Sequence, residues 1–130
     1  VTRFLDTNIL VYAHQAHPKG AQAQAVLVEG GLISVQVLTE FTNVLRKKLR
    51  RSWTDIEAAL VDVACILPAP RPLTAETHAC AVGISRDLAY SFYDSLILAS
   101  AIECGCDTVL TEDMQDGHVI GPVTIRNPFS

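Results

Sequence analysis

The chain lacks several things that would fix its class at once. No run of 18 apolar residues occurs, so nothing reads as a membrane-spanning helix. No Gly-x-Gly-x-x-Gly and no P-loop pattern occurs, which removes the glycine-rich cradles for nucleotide phosphates. Cysteine is sparse and badly spaced for zinc: Cys65, Cys80, Cys104 and Cys106 have no second C-x-x-C or H-x3-H to complete a site. They fall in apolar helical patterns or at a helix end, with Cys65, Cys80 and Cys104 reading as core or near-core positions. A reduced, cytoplasmic protein is therefore expected rather than a disulfide scaffold. Positive charge is in deficit: the net charge is -4 and the pI about 5.4, so the molecule as a whole is not a basic nucleic-acid binder. No signal peptide is expected, because Asp6 interrupts the opening apolar stretch and no basic segment precedes it. Repeats, low-complexity tracts and linkers are absent too, so residues 1–130 read as one domain.

What remains is an alternation of short strands and helices in a chain that is 49% apolar, enough for a sizeable core. Residues 2–5 read as a strand, followed by a helix from Thr7 to about Gln15. A second helix is expected over 18–29, with Pro18 near its first turn and Gly30-Gly31 as its stop. Leu32-Ile33-Ser34 reads as a short strand. Apolar residues at Val37, Leu38, Phe41, Val44, Leu45 and Leu49 have helical spacing and predict a helix over roughly 35–50. Thr54-Asp55-Ile56-Glu57 reads as the capping box of the next helix, which Pro68, Pro70 and Pro72 follow. Further helices are expected from Thr74 to near Ala89 and over 92–104, then strands at 107–111 and 123–125. Strands separated by helices imply an α/β fold, a parallel sheet covered on both faces.

Acids occupy costly places in this pattern. Asp6 stands where the first strand ends, and ligands of open parallel sheets sit beyond the carboxyl ends of strands. The segment VLTEDMQDG, residues 109–117, runs a second strand into Glu112, Asp113 and Asp116. Asp94 lies in the first turn of the most apolar helix, where pairing with the helix dipole is the plainer explanation. Glu40 lies at the edge of an apolar stripe, where a paired boundary Glu is the plainer explanation. Taken together they suggest a common pocket. Two carboxylates about 4 Å apart repel by roughly 4 kcal/mol at an effective dielectric near 20. A hard divalent ion with oxygen ligands would remove that repulsion, and Mg²⁺ uses few carboxylates while sharing phosphate oxygens.

The segments FLDTNILVYA, YDSLILASA and LTEDMQDG, with an isolated Glu on the third helix, resemble the signature segments of the PIN-domain ribonucleases. The resemblance runs from Phe4 to about Gly117, in the order the family uses, and is nearest to the VapC-type toxins of bacterial toxin–antitoxin pairs. It implies a three-layer α/β/α fold with a short central parallel sheet flanked by helices, and metal-dependent endonuclease activity on RNA. The family positions fall on Asp6, Glu40, Asp94 and Asp113. Mg²⁺, or Mn²⁺, would be held mainly by Asp6, Asp94 and Asp113, with Glu40 acting through water. Asp116 corresponds to a further acid, reaching either the ion or its water shell. Thr7, Asn8 and Thr111 match small polar neighbours that would orient the carboxylates. The implied partners are an RNA substrate, a cognate antitoxin and a second copy of the chain, with the first three helices as the expected contact surface. A housekeeping RNA-processing nuclease without an antitoxin and a non-cutting RNA-binding module remain open alternatives. An acidic-pocket phosphatase fits less well, since a second Asp is expected two residues after the first and position 8 is Asn.

Five of the ten Lys and Arg residues lie in one run, Arg46-Lys47-Lys48-Leu49-Arg50-Arg51. On an α-helical wheel Lys47 and Arg51 fall near Glu40, with Arg46 and Arg50 toward solvent. One reading is a solvated helix end; the other is a phosphate track leading to the acids. Trp53 reads as a packing or partner contact, and His118 as a loop residue that could alternatively contact phosphate.

Overall fold

The computed structural model describes residues 2–130. Strand β1 (Arg3–Leu5) leads into helix α1 (Thr7–Ala13), and α2 (Gly20–Glu29) and α3 (Val35–Asn43) follow. A π-helical turn, Val44–Lys48, continues α3. Then come α4 (Trp53–Ile66), α5 (Ala75–Leu88), α6 (Phe92–Glu103), β2 (Thr108–Leu110), β3 (Val119–Ile120) and β4 (Val123–Arg126). The sheet order is β1-β2-β4-β3. β1, β2 and β4 are parallel, and β3 is an antiparallel edge. The three-layer α/β/α arrangement expected from the sequence is present, with the sheet mixed rather than wholly parallel. β3 is two residues long, below the length at which alternation can be read. It forms because Gly121 turns the chain back at φ 55.

Leu32-Ile33-Ser34 is not a full strand. Leu32 bridges β1 at Phe4, and Ser34 bridges Arg71 in the proline-rich segment. The bridge at Leu32 still sets the topology. From β1 the chain moves to one side, at Leu32, and returns to the other side as β2. The carboxyl ends of β1 and β2 therefore flank a topological switch point.

Several helix boundaries differ from the expected ones for local reasons. α2 starts at Gly20, two residues later than expected, and Pro18 precedes it. α4 is capped by the Ser52 hydroxyl, which accepts from Asp55 N–H, so the cap lies two residues before the one expected at Thr54–Glu57. α5 carries a capping box between Thr74 and Thr77. Of the cysteines, Cys106 is buried and Cys65 is exposed, the reverse of what helical position suggested for Cys65. The core is built on Phe4, Leu5, Ile9, Phe41, Ile97 and Ile125, all fully enclosed.

Gly31 fits where only a hydrogen fits. A Cβ there would lie 2.8 Å from Leu5 Cγ and 3.1 Å from the Arg3 carbonyl oxygen. Leu5 is enclosed and cannot swing away. Gly31→Ala is therefore expected to cost about 1–3 kcal/mol, read as a lower urea midpoint with an unchanged slope.

Candidate active site

Asp6 ends β1 and caps α1. Its backbone N–H continues the sheet ladder to the Leu110 carbonyl at 3.0 Å, while its Oδ1 accepts from Thr7 N–H at 2.7 Å. Its other oxygen, Oδ2, accepts from the Thr111 hydroxyl at 2.8 Å, and Thr111 stands just past β2. One carboxylate thus ties two neighbouring strand ends together. Thr7 does double duty, since its hydroxyl donates to Glu40 Oε2 at 2.9 Å. On the far side, Asp113 N–H donates to the Thr111 hydroxyl oxygen at 3.1 Å, and Asn8 Nδ2 donates to Asp113 Oδ2 at 3.0 Å. Glu40 Oε1 accepts from Gln36 Nε2 at 2.7 Å, and the same nitrogen donates to the Tyr93 carbonyl at 3.0 Å. Tyr93 precedes Asp94 in the first turn of α6. Elements far apart in the chain are joined in one row of hydrogen bonds.

The charges feel one another. Burial, first of all, pushes the Asp6 carboxyl up from 3.8 to about 7; the bonds from Thr111 and Thr7 pull it down, and the charges of Asp94 and Glu40 push it further up. Asp94 is also raised, chiefly by burial, with Asp113 and Glu40 adding to the rise and the Ser91 hydroxyl opposing it. Among the described residues, none of Asp6, Glu40, Asp94 and Asp113 takes part in an ion pair; the cations near acids sit on Glu29, Asp62, Glu112 and Asp87.

Asp6, Glu40, Asp94 and Asp113 are the acids that this geometry brings into mutual influence, with Thr7, Asn8 and Thr111 between them. Glu112 lines the same side of the molecule but is paired, and Asp116 is bonded at one oxygen. Glu112 accepts from the Tyr12 hydroxyl and from Lys19 Nζ at 2.6 Å. Burial pushes the Glu112 carboxyl up, but the bonds from Lys19 and Tyr12 outweigh it and hold the group below its ordinary value. Asp116 Oδ1 accepts from Asn127 N–H at 2.9 Å, which fastens the chain just after β4. Three contributors were not anticipated. Gln36 shows no signal in the sequence beyond being polar inside an apolar helix. Tyr12 and Lys19 are too far from Glu112 in the chain for any spacing rule to pair them.

Glu40, Asp113 and Glu112 border a cleft of about 430 Å³ that runs from Thr7 and Asn8 along Val11 and Val44 to Lys48, while Asp6 and Asp94 lie outside its lining. Lys48, rather than Lys47 or Arg51, reaches this cleft. The π turn bonds Leu49 N–H to the Val44 carbonyl, one residue further back than an α-helix would. Side chains after Val44 are rotated back accordingly, and the α-helical wheel no longer applies. Arg51 donates to the His14 carbonyl at 3.0 Å, and Arg46 stacks over Trp53 at 4.9 Å from the ring centre. Lys47 and Arg46 flank a second, more apolar groove with Trp53. Arg50 is exposed at a left-handed φ of 54. His118 Nδ1 pairs with the Tyr90 hydroxyl at 2.6 Å.

As the side chains stand, no three His, Cys, Asp or Glu among the described residues form a ready-made metal cage. The donor chemistry nonetheless suits a hard cation. It offers carboxylate oxygens without a cationic partner, one of them raised to about 7. The buried Asn8 Oδ1, beside Asp113, has no hydrogen-bond partner. Oxygen acceptors in that condition are what a Mg²⁺-sized ion and its waters satisfy.

Comparison with known proteins agrees with this fold. The family model described as PIN domain matches residues 3–115. No curated protein gives a significant match. Several solved structures share the fold, three of them as follows. VapC20 of Mycobacterium tuberculosis, described as a Sarcin-Ricin loop cleaving toxin, has a TM-score of 0.67 at 19% identity, over 83% of this chain and 87% of that one. A toxin-antitoxin complex from Klebsiella pneumoniae has a TM-score of 0.77 at 16% identity, over 98% of both chains. VapBC2 from Rickettsia felis, bound to a DNA fragment from its promoter, has a TM-score of 0.73 at 21% identity, over 98% of both chains.

The raised Asp6 pKa has a measurable consequence. Between 3.8 and about 7 the folded protein holds a proton on Asp6 that the unfolded chain has lost. Stability in EDTA should therefore fall as pH rises through that window and stay low above it. Asp6→Asn is expected to flatten this dependence and to raise Tm at pH 8 by roughly 3–8 °C, measured by thermal melts in EDTA at pH 5 to 8. From its fold, its acids and the match across residues 3–115, the chain belongs to the PIN-domain family.

Proposed function

We propose that the protein is a divalent-metal-dependent endoribonuclease acting as the toxin of a toxin–antitoxin pair. The observation that carries this reading is the row of hydrogen bonds that sets Asp6, Glu40 and Asp113 side by side at the sheet's switch point, with Asp94 within electrostatic reach. Membership of the PIN-domain family supports it. So do the similar structures, one described as a Sarcin-Ricin loop cleaving toxin and one as a toxin-antitoxin complex.

Asp6, Asp94 and Asp113 are the residues that would hold Mg²⁺, or Mn²⁺. When bound, such an ion supplies charge neutralisation and Lewis acidity toward water and a phosphate oxygen. The chain's own residues do the rest. Thr7 and Thr111 fix both oxygens of Asp6, so its carboxylate keeps one orientation. Asn8 fixes Asp113 in the same way. Glu40 is held at both oxygens and on this reading orients an attacking water and accepts its proton. Water adds to phosphorus, the bond to the 3′-oxygen breaks, and the proton lost by water is balanced by the one gained at that oxygen. The products are a 5′-phosphate and a 3′-hydroxyl.

Lys48 at the cleft, with Lys47 and Arg46 beside it, offers phosphate contacts that the rest of this acidic molecule lacks. Arg50 and Arg51 border that run, although Arg51 is already engaged with His14. The proposed partners beyond RNA are an antitoxin and a second copy of the chain, seated on α1–α3, where Val28 and Val35 expose apolar surface.

The deciding experiment uses purified protein and labelled RNAs with Mg²⁺ or EDTA. Cleavage should require the ion, and Asp6→Asn should reduce it at least about 100-fold while the protein stays folded. Cleavage that persists in EDTA, or an Asp6→Asn variant as fast as wild type, overturns the reading. Lys47→Gln and Lys48→Gln together should weaken RNA binding and flatten its log–log salt slope by roughly 0.7 per cation removed.

A further inference from the structure

We infer that Gln36 is a positioning residue, one that aims the Glu40 carboxylate by tying it to the first turn of α6. The inference rests on the nuclease reading above and adds a residue that reading does not need. Gln36 is 6% exposed, on a helix whose neighbouring positions, Val35, Val37 and Leu38, are apolar. A polar amide in that place is unusual and calls for a cause. Both hydrogens of its Nε2 are used, one on Glu40 Oε1 at 2.7 Å and one on the Tyr93 carbonyl at 3.0 Å. Its Oε1 is buried and has no partner.

That imbalance fixes which way round the amide sits. Turning it over would place the oxygen against a carboxylate and a carbonyl, two acceptors, and leave the nitrogen unpaired. Gln36 thus presents two donors in a fixed direction to two acceptors on different elements. Glu40 follows it at i+4 on the same helix face, so the pair is locally preset. The bond to Tyr93 adds what a helix alone cannot, a link to the residue immediately before Asp94. With Thr7 holding Glu40 Oε2 from α1, the Glu40 carboxylate is clamped at both ends. Val, Leu or Met at 36 would fill the space and leave Glu40 Oε1 free to rotate.

The test is a double-mutant cycle read by RNA cleavage with Mg²⁺, joined to NMR of the metal-free protein. Gln36→Met should lower kcat about 10- to 100-fold with little change in KM. In a Glu40→Ala background the same substitution should cost nothing further, because a residue acting only through Glu40 has nothing left to aim. In metal-free wild type the Gln36 side-chain amide should give two resolved, slowly exchanging proton signals, and Glu40→Ala should shift at least one toward the free-amide position. A Gln36→Met variant with wild-type kcat, an additive loss in the Glu40→Ala background, or amide signals indifferent to Glu40→Ala overturns the inference. If Gln36→Met does not fold, Gln36→Leu takes its place in the cycle with the same expectations. Wild type inactive with both Mg²⁺ and Mn²⁺ would remove the nuclease reading and this inference with it. An active wild type with an indifferent position 36 would remove this inference alone.

Discussion

The structure depends on keeping one carboxylate out of water. Asp6 is 4% exposed, at a position where the backbone is still part of the sheet. Burying a charge is costly unless it is hydrogen-bonded or paired. Asp6 receives two hydrogen bonds and no cation, and the negative charges of Asp94 and Glu40 work against it. Its pKa rises to about 7, so burial wins over the bonds from Thr7 and Thr111. A fold selected for stability alone would place Asn or Ser here, either of which caps a helix without the charge. The cost is borne at a switch point, where ligands of such sheets bind, which is where the proposed nuclease reading needs an acid.

The neighbours make sense as responses to that constraint. Thr7 and Thr111 each put a short hydroxyl where a water would otherwise be needed, and each serves two acids: Thr7 bonds Asp6 and Glu40, while Thr111 bonds Asp6 and accepts from the Asp113 backbone. Because Thr7, through its backbone N–H and its hydroxyl, and Thr111, through its hydroxyl, each tie two acids, the acids do not relax independently. Moving Glu40 disturbs Thr7, which disturbs Asp6, which disturbs the joint between β1 and β2. Such coupling holds a site to the tolerance that catalysis needs. It also means that a cation relieving repulsion at Asp6 would stabilise the sheet itself.

The architecture is legible in the sequence because α/β alternation is written in local signals: Gly30-Gly31 after α2, Thr74 before α5, Gly105 after α6. Asp6, Glu40, Asp94 and Asp113 are legible because each breaks an apolar pattern at an element's end or edge. What escapes is what depends on distance across the fold. Glu112 looks as available as Asp113 in the sequence, and only the approach of Tyr12 and Lys19 takes it out of play. Asp116 likewise is taken by Asn127. Gln36 is invisible because its partners, Glu40 and the Tyr93 carbonyl, meet only when α3 and α6 pack. The capping of α4 by Ser52 rather than Thr54 is a shift of two residues that changes no layer.

The π turn shows how a single inserted residue can redirect charge. Five basic side chains follow Glu40 within eleven positions, and strict α-helical geometry would lay Lys47 and Arg51 along the acid's face. The i→i+5 bond at Val44 rotates the run instead. Lys48 comes to the cleft, Arg46 stacks on Trp53, and Arg51 ends on the His14 carbonyl. The effect is to hold positive charge beside the acids without letting it touch them. A Lys or Arg bonded directly to Asp6 or Glu40 would satisfy the carboxylates, lower the Asp6 pKa and remove the reason for a divalent ion to bind there. A lysine on the cleft wall leaves the carboxylates unpaired and supplies the positive charge that the proposed RNA substrate would meet. On the proposed nuclease reading this surface has two demands, bare acids for a cation and nearby cations for a phosphate backbone; they conflict in a regular helix, and one irregular turn reconciles them.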